Sequence, residues 1–368
     1  MNQEITFERL EHLTTRITDR LPHVSSENDY WMVRADGGEY YNDFLYHNYI
    51  GINWNEVSLE DIEKCKANTE EIKQLLRDKL DPKNYPNDEL SNKQIGTWAG
   101  QLSRFYNKMK INDYVLVPSE GSQSFLVGRI KGEAYEETQE QLDDLRAASQ
   151  YKTSNYFKRY PIKWIGKFNR QEADSALYKI IYSHTTLTNI NEYRKYINRA
   201  LFPAYISDDK LHLTFTVNRS EDIKSKSLGE FVYKFSEINQ LIHEDNSPDT
   251  RINVQSPGII EMIFEHAPEA LISIVVILAT SNIIIGGELS IGKFKYKTDG
   301  LLKILSDVKN SKLTHDDKKL DNIKKAVELS EELQLPISEL DIEIPQSIVD
   351  RLDQEFYDSQ EELDKSEE

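Results

Sequence analysis

Hydrophobic positions along this chain change period several times, and each change marks an element. Residues 3–21 place Ile5, Leu10, Leu13, Ile17 and Leu21 at helical spacing, which predicts a first helix broken by Pro22 and Ser25-Ser26. Tyr30 to Arg34 reads as a strand, and Asp36-Gly37-Gly38 behind it is a turn signal. Tyr46 to Trp54 is a second aromatic and β-branched segment. Ser58 and Asp61 have capping-box spacing ahead of the apolar face Ile62, Cys65, Ile72, Leu75 and Leu76. Asp81 to Asn92 is a polar loop. Ile95, Trp98, Leu102, Phe105 and Met109 then form an amphipathic helix.

Beyond that helix the period becomes that of strands. Tyr114 to Pro118 and Ser124 to Ile130 flank a hairpin-like connection, an acidic helix or loop covers 136–148, and Tyr160 to Lys167 is a further strand. Residues 171–200 read as helical. The second half restarts with a strand at Leu211 to Val217 and an amphipathic helix at Leu228 to Ile242. Two strands follow, Ile252 to Val254 and Ile259 to Ile263. Residues 270–287 carry no charge. They read either as a buried helix to Thr280 followed by a short strand, or as a membrane-inserting segment, since about 20 apolar residues are needed to span a bilayer. Leu301 to Leu333 is helical and Leu340 to Glu343 extended.

The expected fold class is therefore α+β. The pattern gives an N-terminal helix (1–27), a barrel domain with helical insertions (28–170) and a helical connector (171–204). An α+β module with the hydrophobic segment 270–287 (205–300), a helical C-terminal region (301–354) and an acidic tail (355–368) complete it.

Composition narrows the function. The 368 residues hold 63 Asp and Glu against 45 Lys and Arg, a net charge of -18, which argues against a protein built wholly around nucleic acid. Yet residues 151–200 hold ten Lys and Arg against three Asp and Glu, either a basic binding face or a solvated helix face. A single cysteine, Cys65, leaves no internal disulfide and no Cys-rich zinc site, which fits a reducing cytoplasm. The opening Met1-Asn2-Gln3-Glu4 is not a secretory leader. The eight histidines lie far apart in sequence, so no metal site is expected. There is no phosphate loop and no serine nucleophile elbow, and no cofactor is expected. Asp209, Asp222 and Lys224 loosely match the carboxylate, carboxylate-x-Lys spacing of metal-dependent nucleases, as do many short strings in so acidic a chain.

The N-terminal part supplies what a base or nucleotide reader needs: flat aromatic faces, planar polar groups and glycines. Trp31 and Trp54 either line such a pocket or pack the core, while Trp98 sits on a core stripe. The run Trp31 to Gly38, then Ile50-Gly-Ile-Asn-Trp54, then Lys110 to Pro118, then Val127 to Ile130 and Lys163-Trp164, resembles a PUA-like or EVE-like barrel. Such barrels stand at the N-terminus of Mrr- and McrB-type modification-dependent restriction proteins and other bacterial defence proteins. In that family Gly often precedes the Asp of the third anchor, where this chain has Asn112.

The resemblance implies a defence-associated sensor of DNA, RNA or a modified nucleotide. Trp31, Arg34, Asn53, Trp54 and Ser119 would stand at the ligand, and Lys158, Arg159, Lys163, Lys167 and Arg170 along phosphates. The C-terminal module would signal to a partner defence protein or oligomerise with a second copy. Alternatives are a membrane-associated effector using 270–287 and a nuclease.

Overall fold

A computed structural model of the chain describes residues 7–66, 68–80, 91–171, 173–183, 185–244, 247–254, 258–285, 288–291, 294–297, 318–352 and 354–355. The polar loop at 81–90, the stretch 298–317 and the acidic tail from 356 lie outside the described residues. Contacts divide the chain into two compact units: residues 26–201, and residues 1–25 together with 202–368. The protein is mixed α and β. Its first helix, α1 (Phe7–Arg20), belongs by contact with the chain's distant second half.

Residues 26–201 run β1 (Tyr30–Val33), α2 (Tyr41–His47), β2 (Tyr49–Ile52), α3 (Leu59–Lys64), α4 (Thr69–Lys79), α5 (Asn92–Asn107), β3 (Tyr114–Pro118) and β4 (Ser124–Ile130). They continue through β5 (Tyr135–Glu136), α6 (Gln139–Ala148), β6 (Lys158–Asn169), α7 (Tyr178–Ile181), β7 (Leu187–Asn189) and α8 (Arg194–Leu201). The sheet order is β2-β6-β4-β3-β1-β7, with β5 beside β6, and the sheet curls into a half-barrel whose path runs open from β2 to β7. Every pairing is antiparallel except β1 with β3, where Trp31 stands opposite Val115 and Met32 opposite Leu116. Its core gathers Val33, Phe44, Ile50, Ile52, Leu102, Phe105, Val115 and Val117.

The helical reading of 171–200 fails at β7. Leu187, Thr188 and Asn189 find a pairing edge on β1, opposite Val33, Met32 and Trp31, that local periodicity does not show.

The other unit adds β8 (Ala204–Ser207), β9 (Lys210–Val217), α9 (Ser225–Ile242), β10 (Asp249–Val254), β11 (Gly258–Phe264) and α10 (Ala267–Ile285). A hairpin β12 (Glu288–Ile291) and β13 (Phe294–Lys297), then α11 (Lys318–Leu340) and β14 (Ile342–Glu343), complete it. The sheet is antiparallel, in the order β10-β11-β9-β14 with β8 beside β9. Alternate residues Leu211, Leu213, Phe215 and Val217 face a core shared with Phe231 and Phe235 of α9 and with Leu10, Leu13 and Ile17 of α1. Arg16 Nε meets the buried Glu355 carboxylate at 2.8 Å, which ties the first helix to the last described residues.

Helix α10 begins ahead of the uncharged segment and takes up most of it, running past Thr280 to Ile285. Ala270 to Leu278 are buried in this core. Among the described residues no helix is long and apolar enough to cross a membrane.

The predicted capping box forms at α3. Ser58 Oγ accepts from Asp61 N at 3.1 Å, and the Asp61 carboxylate accepts from Ser58 N at 2.9 Å. Burial alone would raise the Asp61 carboxyl. Hydrogen bonds from Lys79 and from the Ser58 backbone and hydroxyl outweigh burial and bring it down to about 2. A carboxylate with a depressed pKa stabilises the fold above its unfolded pKa and loses that contribution as pH falls through the folded value. Ser58→Ala should cost about 1 kcal/mol in urea unfolding. The penalty of Asp61→Asn should be full above the ordinary carboxylate pKa of 3.8 and vanish only as pH falls below about 2.

Candidate functional site: a pocket beside two parallel strands

The parallel pairing of β1 with β3 determines where a pocket forms. Asp113, buried just ahead of β3, accepts three hydrogen bonds: from the Trp31 indole Nε1 at 2.9 Å, from Asp29 N at 2.9 Å and from Lys110 N at 2.9 Å. Tyr114 N closes the junction on Asp29 O at 2.9 Å. Asn112 before it has φ 77, a left-handed conformation that Gly adopts freely and Asn tolerates. The starts of β1 and β3 are thus pinned side by side, so their carboxyl ends also emerge together.

Two single-turn 3-10 segments leave those ends, Asp36–Gly38 after β1 and Glu120–Ser122 after β3. Both contain left-handed residues, Asp36, Gly37 and Gly38 in one and Gly121 and Ser122 in the other. A Cβ on Gly38 would fall within 3.0 Å of the Glu120 backbone, so the turns can close on each other only because Gly38 has none.

Between the turns lies a concavity of about 260 Å³ walled by Arg34, Gly38, Pro118, Ser119, Gly121 and Ile181, the last residue of α7. Arg34 N donates to Thr186 O at 2.8 Å, and its guanidinium Nη2 donates to Ile181 O at 2.6 Å. The Arg34 Nε is buried and has no hydrogen-bond partner among the described residues. Burial lowers the pKa of the guanidinium from its ordinary value of 12.5, and an arginine side chain is a cation at neutral pH. A half-buried cation with an unused donor, facing a small cavity rimmed by backbone turns, suits an anionic group.

Of the expected ligand residues, Arg34 and Ser119 stand in this pocket and the tryptophans do not. Trp31 is 3% exposed and bonded to Asp113, and Trp54 is 7% exposed with its ring 6.0 Å from that of Trp98. Both fill the core. Asn53 is exposed on the chain beyond β2.

The expected phosphate contacts divide in the same way. Lys158 is 0% exposed, and its Nζ donates to Trp54 O at 2.7 Å and Val57 O at 2.9 Å, holding a turn where Trp54 has φ 62. Burial lowers the Lys158 ammonium to about 8. Arg159 is 2% exposed. Its guanidinium lies 3.8 Å from the centroid of the Tyr49 ring, and Tyr49 bonds the buried Asp43 carboxylate. Neither cation can reach a phosphate. Both belong to the stretch of β6 that pairs with β2 and β5, and this pairing buries them.

Lys163 and Lys167 are exposed, and Arg170 lies over the Tyr178 ring. The ladder places Lys167 opposite Leu126, and Arg170 N bonds Gln123 O at 2.9 Å, so these two stand at the pocket end of the sheet. Lys163, opposite Arg129, stands at the other end.

The nuclease candidates are not assembled. Asp209 sits in the tight turn before β9, with φ 61, whereas Asp222 and Lys224 follow the far end of that strand. Eight residues of strand span roughly 26 Å at ~3.3 Å each, too far for carboxylates to share an ion. Among the described residues, the metal-ligating side chains that converge are His243, His266 and Glu269, in the other unit. Spacing along the chain hid them, because His243 ends one helix and His266 precedes the next.

The two turn glycines should respond differently to alanine. Gly37 has φ 69 and open space around it, so Gly37→Ala should cost about 1–2 kcal/mol of backbone strain. Gly38→Ala also drives into the Glu120 backbone and should lower the thermal midpoint more than its neighbour does, as read by circular dichroism.

Residues 31–191 match the model of a family described as a domain of unknown function, DUF8426. No curated protein and no solved structure matches the chain.

Proposed function

We propose that residues 26–201 form a PUA-like sensor unit that takes a nucleotide, free or within a nucleic-acid strand, by an anionic group held at Arg34. The observation that carries this reading is Arg34, which lines the cavity between the two turns and whose buried Nε has no hydrogen-bond partner among the described residues. A charge-assisted hydrogen bond to phosphate gives that donor its acceptor. The family match, which lies inside residues 26–201, supports treating this unit as a module of its own.

Charge supports it too. Residues 26–201 hold 24 Lys and Arg against 26 Asp and Glu, so nearly all of the chain's excess negative charge lies elsewhere. Lys167 and Arg170, at the pocket end of the sheet, can take flanking phosphates. The volume of about 260 Å³ is just under the usual 300–1,000 Å³ of small-molecule sites, so it suits part of a nucleotide better than a large cofactor. In this reading the aromatic residues form no base cage. The defence role implied by the barrel resemblance then rests on the pocket, with the other unit passing its occupancy to a partner protein or a second copy.

Fluorescence anisotropy with labelled single-stranded and duplex DNA and RNA, together with calorimetry on mononucleotides, tests the proposal. Arg34→Gln should keep the fold and weaken binding by roughly 10- to 150-fold, the loss of one charged hydrogen bond. Trp54→Phe should bind like the parent chain. Retention of only the mononucleotide, or of only one polymer, identifies the source of the anionic group. Unchanged affinity in Arg34→Gln, or no binding by the parent chain, overturns the reading.

A further inference from the structure

We infer that His243, His266 and Glu269 form a binding site for a transition-metal ion of the zinc class, in the unit made by the two ends of the chain. Helix α9 ends at His243, whose backbone N–H still bonds Asn239 O at 2.9 Å, so the imidazole is carried on a fixed helical terminus. His266 comes immediately before α10, and its carbonyl accepts the helical bond from Ala270 N at 3.1 Å. Glu269 lies three residues on, in the first turn, and that separation puts both side chains on one face of the helix start. The backbone alone thus converges three donors from two helix ends.

The side chains complete the convergence. The two imidazole rings lie 4.2 Å apart between centroids, tilted by 34°. One donor atom from each of the three residues falls within 4.8 Å of the other two. Metal-ligand bonds of about 2.0–2.2 Å in a tetrahedral site separate donors by roughly 3.4 Å. Donors that now lie within 4.8 Å of one another have to close by about 1.4 Å at most to reach that spacing.

The Nδ1 of His243 is buried and has no hydrogen-bond partner among the described residues. Leaving such an atom unsatisfied is costly, and coordination through it removes that cost. The C-terminus of α9 favours a cation, and Glu269 offsets the opposing dipole at the start of α10.

The donor set selects the class of ion. Two imidazoles and one carboxylate suit zinc, cobalt, nickel or copper, whereas calcium and magnesium take oxygen ligands. Three protein donors leave a fourth position for water or another ligand. Bound there, the ion would fasten the end of α9 to the start of α10, two helices that pack on the same core.

The test uses the full chain stripped of metal with EDTA and titrated calorimetrically with zinc chloride, then with magnesium chloride. One zinc per chain should bind and magnesium should not. His243→Ala and Glu269→Gln should each weaken zinc binding at least about tenfold, while His12→Ala, on the exposed face of α1, should leave it unchanged. Zinc should also raise the thermal midpoint of the parent chain more than that of Glu269→Gln at the same zinc concentration. The partly exposed Glu269 keeps the test decisive should His243→Ala fail to fold. Absence of zinc binding, or binding that persists undiminished in His243→Ala and Glu269→Gln, overturns the inference.

Discussion

The carboxylate of Asp113 is the constraint on which the rest of the 26–201 unit depends. It accepts the Trp31 indole and two backbone N–H groups, and so pins the start of β1 to the start of β3. Parallel neighbours are unusual in a sheet otherwise built from antiparallel pairs, because parallel strands need a long connection. Here α2, β2 and α3 to α5 provide it. Once the two starts are fixed, both carboxyl ends leave the sheet at one place. The Gly38 turn, the Glu120 turn and Arg34 then have to share that space. A pocket beyond the carboxyl ends of neighbouring parallel strands follows the same geometry as the ligand crevices of open α/β sheets.

The same packing explains what the aromatic and basic residues do. Trp54 and Trp98 close the core beneath α5, and Lys158 spends its charge on the carbonyls of the Trp54 turn. Arg159 stacks on Tyr49 over the buried Asp43. These cations are structural because β5 and β2 cover them on β6. Further along the strand β5 and β2 no longer pair with it, and Lys163 and Lys167 reach solvent. Position along one strand thus decides which part of a basic run faces solvent.

Much of this was legible in the sequence. The strands at Tyr114–Pro118 and Ser124–Ile130, the helix at Asn92–Asn107 and the Ser58–Asp61 box follow from local period and capping chemistry. Arg34 and Ser119 were also singled out, although on the expectation of an aromatic cage. Contacts that join distant segments were not legible. The short strand β7 depends on an edge far away in the chain. Helix α1 belongs with the chain's other end through a core and an Arg16–Glu355 pair that no local pattern encodes. His243 and His266 lie close only because α9 and α10 pack together. Burial of the tryptophans could not be deduced either, since an indole stripe serves a wall or a core equally well.

Hydrogen exchange on an Asp113→Asn variant tests the central claim most directly. One carboxylate oxygen becomes a donor, so the side chain can no longer accept from Trp31, Asp29 and Lys110 together. If the clamp creates the pocket, amides of β1, β3 and the two turns, Arg34 and Ser119 among them, should lose protection. The β9–β11 amides of the other unit should stay protected. Unchanged exchange in β1 and β3 would contradict the account.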